Sequence, residues 1–183
     1  MLPSKPLIKW KSTTHPYRRS YNKRKIAEWE SDENYCNEQV IQDKEFQGKL
    51  LLDLIDMSIF DFIIGNMDRH HYERMVTLSN STFVLHLDNG RAFGKRYNDE
   101  LSILSPMIQC CLVRYSTFKR IKYLFNQGFS KLLDNSLKMD PLYPVLTNYH
   151  LEAVDRRLGI ILAKLSKCAV RLNVKEIFVD DGY

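Results

Sequence analysis

Two carboxylates, Asp68 and Asp88, stand twenty residues apart in the sequence, each directly after an apolar segment. Asp68 lies in the polar stretch 66–73, and Asp88 is followed by Asn89 and Gly90. One carboxylate in such a pair can accept the proton of a hydroxyl nucleophile. The other can hold a divalent cation that neutralises phosphate oxygens. The spacing is therefore compatible with phosphoryl transfer.

The order of loop, strand and second Asp is typical of the C-terminal lobe of protein kinases. There a catalytic-loop Asp precedes a hairpin, and a metal-binding Asp opens an Asp-x-Gly turn. Each residue also has a plainer interpretation, since Asp88 could be an ordinary hairpin residue and Asp68 could form a local ion pair with Arg69. The joint placement of the two carboxylates favours the catalytic interpretation.

Three more polar side chains follow Asp68 closely. His70 and His71 are neighbours, and neighbouring side chains in a helix or strand do not face one metal ion together. Metal binding by both histidines is therefore disfavoured. Glu73 stands five residues after Asp68 and could contact a nucleotide or its metal, or simply be solvated.

The elements that must position these residues are a helix and a strand. Apolar residues at helical spacing predict a helix over 47–65 that ends at Gly65. Residues 66–81 are predicted as loop and turn, and alternation predicts a strand over 82–90. Further helices are predicted over 100–113, 115–126, 129–138 and 148–168. The predicted fold is mainly α, of the α+β class: a kinase-like C-terminal lobe with a small β-hairpin carrying Asp88.

Charge is distributed unevenly along the 183 residues. Residues 1–25 hold eight Lys or Arg and no Asp or Glu, which predicts a basic arm over 1–35. A lobe is predicted over 36–170 and a tail over 171–183. The arm has no base-reading motif, so a nucleic-acid partner is not expected. Residues 50–65 are the most apolar stretch, but three Asp residues interrupt it, so no membrane span is predicted.

The cysteines and one tripeptide bear on the cellular compartment. The four cysteines are Cys36, Cys110, Cys111 and Cys168. None has the CxxC spacing of zinc or redox motifs, and helical neighbours point about 100° apart, which disfavours a bond between Cys110 and Cys111. The other pairings, or four buried thiols, remain open. Asn80-Ser81-Thr82 is a glycosylation acceptor, which favours the secretory pathway.

Several long motifs resemble the Golgi casein kinase family, the secretory-pathway kinases related to four-jointed. They are DMSIFDFIIGNMDRHHYE, HLDNGRAFGKRYNDELSIL, QCC and HLEAVDRRL, and they occur in the family's order. The resemblance runs from about residue 9 to residue 168. GNMDRHH and HLDNGRAFG are more similar to the secreted-protein kinase branch than to the xylosyl kinase branch.

The resemblance implies a role for each site residue. Asp68 is implied as the catalytic base, Glu73 as a contact to the nucleotide or its metal, and Asp88 as the ligand of Mn²⁺, or of Mg²⁺, that bridges the phosphates of ATP. It also implies disulfides Cys36–Cys110 and Cys111–Cys168, and a glycan on Asn80. The implied substrates are serines in Ser-x-Glu contexts of secreted, often acidic, proteins.

The kinase N-terminal lobe is not found in these residues. There is no Gly-rich loop before the catalytic loop, and no segment with the pattern of a five-stranded sheet. The expectation is therefore a C-terminal lobe with little activity by itself. The signal peptide is expected upstream, and the location is the Golgi lumen or the cell exterior.

Other functions remain possible at this level. A pseudokinase would carry the same motifs. The partner of the chain could then be an active family member or a second copy of the chain. A glycan (xylosyl) kinase differs only by motif variants. A binuclear phosphoesterase would need further Asp and His ligands on successive strands, and a basic scaffold without chemistry is the fourth alternative.

Overall fold

The computed structural model describes residues 8–20, 24–77 and 82–182 of the chain. Helices dominate these residues and confirm the predicted mainly α, α+β class. The α-helices are α1 (Glu28–Ser31), α2 (Lys49–Ile64), α3 (Ser105–Cys110), α4 (Tyr115–Gln127), α5 (Phe129–Leu137), α6 (Asn148–Arg171) and α7 (Val174–Ile177). A π-helical turn spans Cys36–Val40 and a 3₁₀ turn spans Leu101–Leu104.

Two small sheets accompany the helices. The strands are β1 (Ile8–Thr14), β2 (His71–Thr77), β3 (Thr82–Leu85), β4 (Val113–Arg114) and β5 (Phe178–Val179). The first three form an antiparallel sheet in the order β1-β2-β3. β4 and β5 pair in parallel, which attaches the C-terminal tail to the body.

The β-hairpin differs from its prediction at both ends. The loop predicted over 66–81 is wrong over His71–Thr77, which form β2. The sequence pattern of β2 was hidden because three of its first four residues are polar. Tyr72, which is 1% exposed, is the buried residue among these four. The strand predicted over 82–90 ends at Leu85, because the chain turns there into the Asp88 segment.

α2 is the central helix and leads directly into the polar stretch. Leu54, Ile55 and Phe62 are each at most 1% exposed, and burial of such side chains contributes about 1.5–3 kcal/mol each. The helix ends at Gly65 with a φ of 72°, the left-handed conformation that favours glycine after a helix. This sharp end turns the chain out of the core at the start of the polar stretch.

Much of the basic arm is packed into the lobe. β1 pairs along its whole length with β2, and the side chains of Tyr17 and Trp29 lie in the core at 6% and 4% exposure. The indole Nε1 of Trp29 donates to the main-chain carbonyl of Arg18 at 2.9 Å, which fixes the bend of the arm. The division of the chain at residue 35 stays a prediction.

Two disulfides, Cys36–Cys110 and Cys111–Cys168, join α3 to the π-helical turn and to α6. They are the two pairs that the resemblance implied. None of the helices in the described part of the chain is long and apolar enough to cross a membrane. Asn80, the expected glycan site, lies outside the described residues.

Candidate active site

Asn66 organises the loop that follows α2. Its main-chain amide donates to the carbonyl of Asp61 at 2.8 Å, and its side-chain oxygen accepts from the amide of Asp68 at 3.2 Å. Its side-chain Nδ2 donates to the carbonyl of Asp88 at 3.4 Å. One buried side chain, 1% exposed, therefore bonds to the main chain of both candidate carboxylate residues.

A buried ion pair supports the same two segments. Arg69 places Nε 2.8 Å from Oδ2 of Asp61 and Nη2 2.7 Å from Oδ1, a bidentate contact with a carboxylate that is 1% exposed. The same guanidinium donates to Oδ1 of Asn89 at 2.8 Å and to the carbonyl of Leu87. Because Arg69 follows Asp68 directly, this pair anchors the first carboxylate loop to the second.

Asp68 lies at the surface of this framework with its side chain 27% exposed. Oδ1 is 2.5 Å from Nε2 of His70, and Oδ2 is 2.8 Å from Nε of Arg91. Burial, and then the positive charges of His71 and Arg18, lower the pKa of His70. In the contact with Asp68, the Nε2–H of His70 donates a hydrogen bond to the carboxylate.

The Asp88 segment has a constrained backbone. Asp88 has a φ of 55° and Phe93 a φ of 58°, both in the left-handed region that non-glycine residues visit rarely. Asn89 stabilises the turn by donating from Nδ2 to the carbonyl of His86 at 3.0 Å. The amide of Phe93 donates to the carbonyl of Ile64 at 2.7 Å, so the segment is docked on the end of α2.

Glu73 lies on β2, opposite Ser12 of β1 and Leu85 of β3. Its Oε2 is buried, and no hydrogen-bond partner for it occurs among the described residues. A buried carboxylate oxygen without a partner is costly unless a cation or donor is bound. Among the ranges that the structure describes, no cluster of three or more His, Cys, Asp or Glu side chains could hold a metal alone. The arrangement fits a cation held by one or two carboxylates together with phosphate oxygens.

One residue beneath the site was missed by the sequence analysis. His15 is 5% exposed, its amide donates to the carbonyl of His70 at 2.9 Å, and its Nδ1 accepts from the amide of Tyr17 at 3.1 Å. Burial, and then the charge of Arg69, lower the pKa of His15 to about 3. A single histidine in a basic arm carries no signal of this role, because the contact joins residues 55 positions apart.

The basic arm reaches the site. A cleft of about 730 Å³ is lined on one side by arm residues that include Arg18, Arg19 and Lys25. His70 and His71 line its other side. The sequence alone did not place the arm near the candidate carboxylates, and the structure brings its cations to the edge of the loop that carries Asp68.

Known proteins that are similar to the chain identify its family. The family model described as Golgi casein kinase, C-terminal, Fam20, matches residues 1–177. The chain belongs to the Golgi casein kinase family. Within it, the chain is 52% identical over 161 residues to the extracellular serine/threonine protein CG31145 of Drosophila melanogaster, covering 86% of the chain and 30% of that protein. It is 48% identical over 183 residues to the human extracellular serine/threonine protein kinase FAM20C, covering 98% and 31%.

A relative from the xylosyl kinase branch is less similar to the chain than these two proteins. A human glycosaminoglycan xylosylkinase is 41% identical over 167 residues, covering 91% of the chain and 41% of that enzyme. The predicted branch, that of the secreted-protein kinases, is therefore confirmed. The chain spans about a third of the length of the first two of these curated relatives.

A solved structure from the same family shares the fold of this chain. The crystal structure of the Golgi casein kinase with Mn/ADP bound superposes with a TM-score of 0.90 at 38% identity. The superposition covers 98% of this chain and 44% of that protein. The kinase-like C-terminal fold is thereby confirmed, and the bound manganese and ADP belong to that relative.

Proposed function

We propose that the chain is the C-terminal lobe of a secretory-pathway kinase that transfers phosphate from ATP to serine hydroxyls of secreted proteins. The observation that carries this proposal is the pair of hydrogen bonds through which Asn66 joins the main chains of Asp68 and Asp88. Phosphoryl transfer depends chiefly on positioning and electrostatic stabilisation. A rigid connection between a base and a metal ligand supplies that positioning.

Asp68 is proposed to accept the proton of the substrate hydroxyl. The 2.5 Å hydrogen bond from His70 fixes the orientation of its carboxylate, and the buried pair of Arg69 with Asp61 fixes the loop. An oriented carboxylate within hydrogen-bonding reach of the hydroxyl is the geometry that general-base catalysis needs.

Glu73 and Asp88 are proposed to hold the metal and the nucleotide. The buried Oε2 of Glu73 supports this, because it has no partner in the described ranges. ATP and Mn²⁺, with Mg²⁺ as the alternative ion, are the proposed cofactors, and the relative with Mn/ADP supports them. When bound, the metal–ATP complex supplies the phosphoryl group and neutralises the charge that develops on it.

The proposed location is the Golgi lumen or the cell exterior. The two disulfides support this, because such bonds persist in oxidising compartments and are rare in the cytosol. Asn80 is proposed to carry a glycan. The cations of the arm at the edge of the site support acidic protein substrates in Ser-x-Glu contexts.

The 183 residues by themselves are proposed to have little activity. Kinases cover the nucleotide with a Gly-rich loop and a lysine on a second lobe, and this sequence holds neither motif before its catalytic loop. A pseudokinase role is the second candidate, because the human pseudokinase FAM20A is 42% identical to the chain over 183 residues. Such a protein would act as the partner of an active family member, or as part of a homodimer.

The test uses the full-length gene product, secreted from cultured cells. It is incubated with ATP, Mn²⁺ and a Ser-x-Glu peptide, with a xyloside acceptor in a parallel reaction. We expect phosphate on the peptide serine, and at least a hundredfold loss in Asp68→Asn and Asp88→Asn. Equal activity of either variant would remove that residue from its role. Nucleotide binding without transfer would favour the pseudokinase, and transfer to the xyloside alone would favour the glycan kinase.

A further inference from the structure

A second cleft, of about 480 Å³, opens directly on Asp68. Two cations and several small or apolar residues complete it. Its lining consists of Gly65, Met67, Asp68, Arg91, Gly94 and Lys95. The cleft that reaches the candidate base thus carries an excess of positive charge, contributed by the segment after the Asp-Asn-Gly turn.

The backbone that carries the two cations is fixed at both ends. The amide of Phe93 bonds to the carbonyl of Ile64 at 2.7 Å, and Nη2 of Arg157 donates to the carbonyl of Lys95 at 3.1 Å. Arg157 is itself 2% exposed. The side chains of Arg91 and Lys95 are exposed, so the cations stand on a rigid support and remain accessible.

Arg91 contacts the carboxylate that the proposed reaction needs. Its Nε lies 2.8 Å from Oδ2 of Asp68, and its own side chain is 76% exposed. An ion pair as exposed as this one contributes little to stability. A hydroxyl that approaches Asp68 from the cleft meets Arg91 at Oδ2, while His70 remains at Oδ1.

We propose that Arg91 and Lys95 form a subsite for an acidic side chain of the acceptor protein, and that Arg91 passes from Asp68 to this acid when the acceptor binds. The inference rests on the proposed kinase function and adds a coupling to it. A carboxylate near the acceptor hydroxyl draws Arg91 away and leaves Oδ2 of Asp68 to receive the hydroxyl proton. An acceptor without an acid has to displace Arg91 without providing a new partner.

The chemistry of the two cations fits a carboxylate. A guanidinium binds a carboxylate through two parallel N–H groups, and Lys95 adds a point charge on the same segment. The cleft at Arg18, Arg19 and Lys25 is lined by His70 and His71, whereas Arg91 and Lys95 line the cleft that contains Asp68 itself. Arg91 and Lys95 are therefore the cations assigned to the acid nearest the acceptor serine.

The first experiment compares full-length protein with its Arg91→Gln and Lys95→Gln variants on peptides that differ only as Ser-x-Glu and Ser-x-Gln. Arg120→Gln, an exposed cation on α4, is the matched control. We expect each test variant to lower kcat/KM about tenfold for the Glu peptide, as loss of one charge-assisted contact does. For the Gln peptide, Lys95→Gln should change kcat/KM less than about twofold, and Arg91→Gln should leave it unchanged or raise it, because no ion pair with Asp68 then has to be displaced. Unchanged preference for Glu in both variants would overturn the proposal.

Two further measurements separate this inference from the proposed function. Binding of a fluorescent Ala-x-Glu peptide, which cannot be phosphorylated, should weaken about tenfold in Arg91→Gln and stay unchanged in Arg120→Gln. This result stands even if the wild-type protein transfers no phosphate, in which case only the kinase proposal fails. The charge reversal Arg91→Glu with Lys95→Glu should prefer a Ser-x-Lys peptide, and persistent preference for Glu would contradict the subsite.

Discussion

The side-chain amide of Asn66 donates to the main-chain carbonyl of Asp88 across 3.4 Å, although 22 positions separate the two residues. Asn66 also accepts from the amide of Asp68. Substitution by Ala leaves both main-chain groups without this partner, at a cost of about 1–3 kcal/mol each if they stay buried. We expect Asn66→Ala in the full-length protein to lower kcat by a larger factor than it raises the KM for ATP, because Asp68 and Asp88 are no longer held in place relative to each other. Asn126→Ala, at an exposed position on α4, is the control, and equal kcat in the two variants would contradict the role of Asn66.

Asp61 holds the buried guanidinium of Arg69. Asp61→Ala would leave that charge, only 10% exposed, without its carboxylate, and we expect the free energy of unfolding to fall by about 3–5 kcal/mol. Urea unfolding followed by fluorescence measures this. The comparison is Lys11→Gln, which removes an ion pair with a 56% exposed side chain and should cost less than about 1 kcal/mol. Similar losses of unfolding free energy in the two variants would show that the buried Asp61–Arg69 pair stabilises the fold no more than an exposed ion pair does.

Gly65 and Gly128 form a matched pair, since both are helix C-caps in the left-handed conformation, with φ of 72° and 75°. A Cβ on Gly65 would lie 2.9 Å from Nη1 of Arg157, whereas a Cβ on Gly128 would have no heavy atom within 4 Å. Both Ala substitutions carry the backbone cost of about 1–2 kcal/mol. Gly65→Ala also displaces the buried Arg157, and we expect this to lower the free energy of unfolding by about a further 1–3 kcal/mol. Thermal unfolding of the two variants measures the difference, and equal Tm values would contradict it.

His15 makes stability depend on pH. Its pKa is about 3 in the folded protein, below the ordinary value of 6.5, so the unfolded chain binds the proton more readily. Between pH 6.5 and 3 the free energy of unfolding should therefore fall by about 1.4 kcal/mol per unit of pH from this group. His15→Asn keeps an acceptor for the amide of Tyr17 but does not titrate. Urea unfolding at pH 7 and pH 5 should show a smaller loss in the variant than in the wild type, and parallel losses would exclude His15 as the cause.

The Cys111–Cys168 disulfide closes a loop with a sequence separation of 57 residues. Cross-linking a loop of this length stabilises by about 4 kcal/mol in the chain-entropy model. We expect the double substitution of both cysteines by Ser to lower Tm and to reduce secretion. Breaking Cys36–Cys110, with a separation of 74, should cost about the same. Unchanged Tm in either double variant would mean that the unfolded chain is already restricted without that bond.

The sequence predicted the parts of the site whose signals are local. Helix periodicity located α2 within two residues at its start and one at its end, and the residues around Asp68 and Asp88 had the order of a kinase lobe. Pairing between distant segments was not predictable. β1 pairs with a strand that begins 57 positions after β1 ends, and the amide of His15 reaches the carbonyl of His70, with no periodic signal that specifies either partner. The roles of Arg69 and Arg91 were hidden for the same reason, because their partners are fixed by the folded loops.

The adjacent residues Cys110 and Cys111 give the chain a property that neither bond would give alone. A protease that cut the exposed stretch around Met139 and Leu142 would sever the backbone between Cys111 and Cys168. A cut between residues 36 and 110 would fall within the loop closed by the other bond. In both cases the fragments would stay covalently attached and migrate together on a gel until a reductant was added. The two bonds together therefore keep the fragments of a nicked lobe attached wherever the cut falls within either loop.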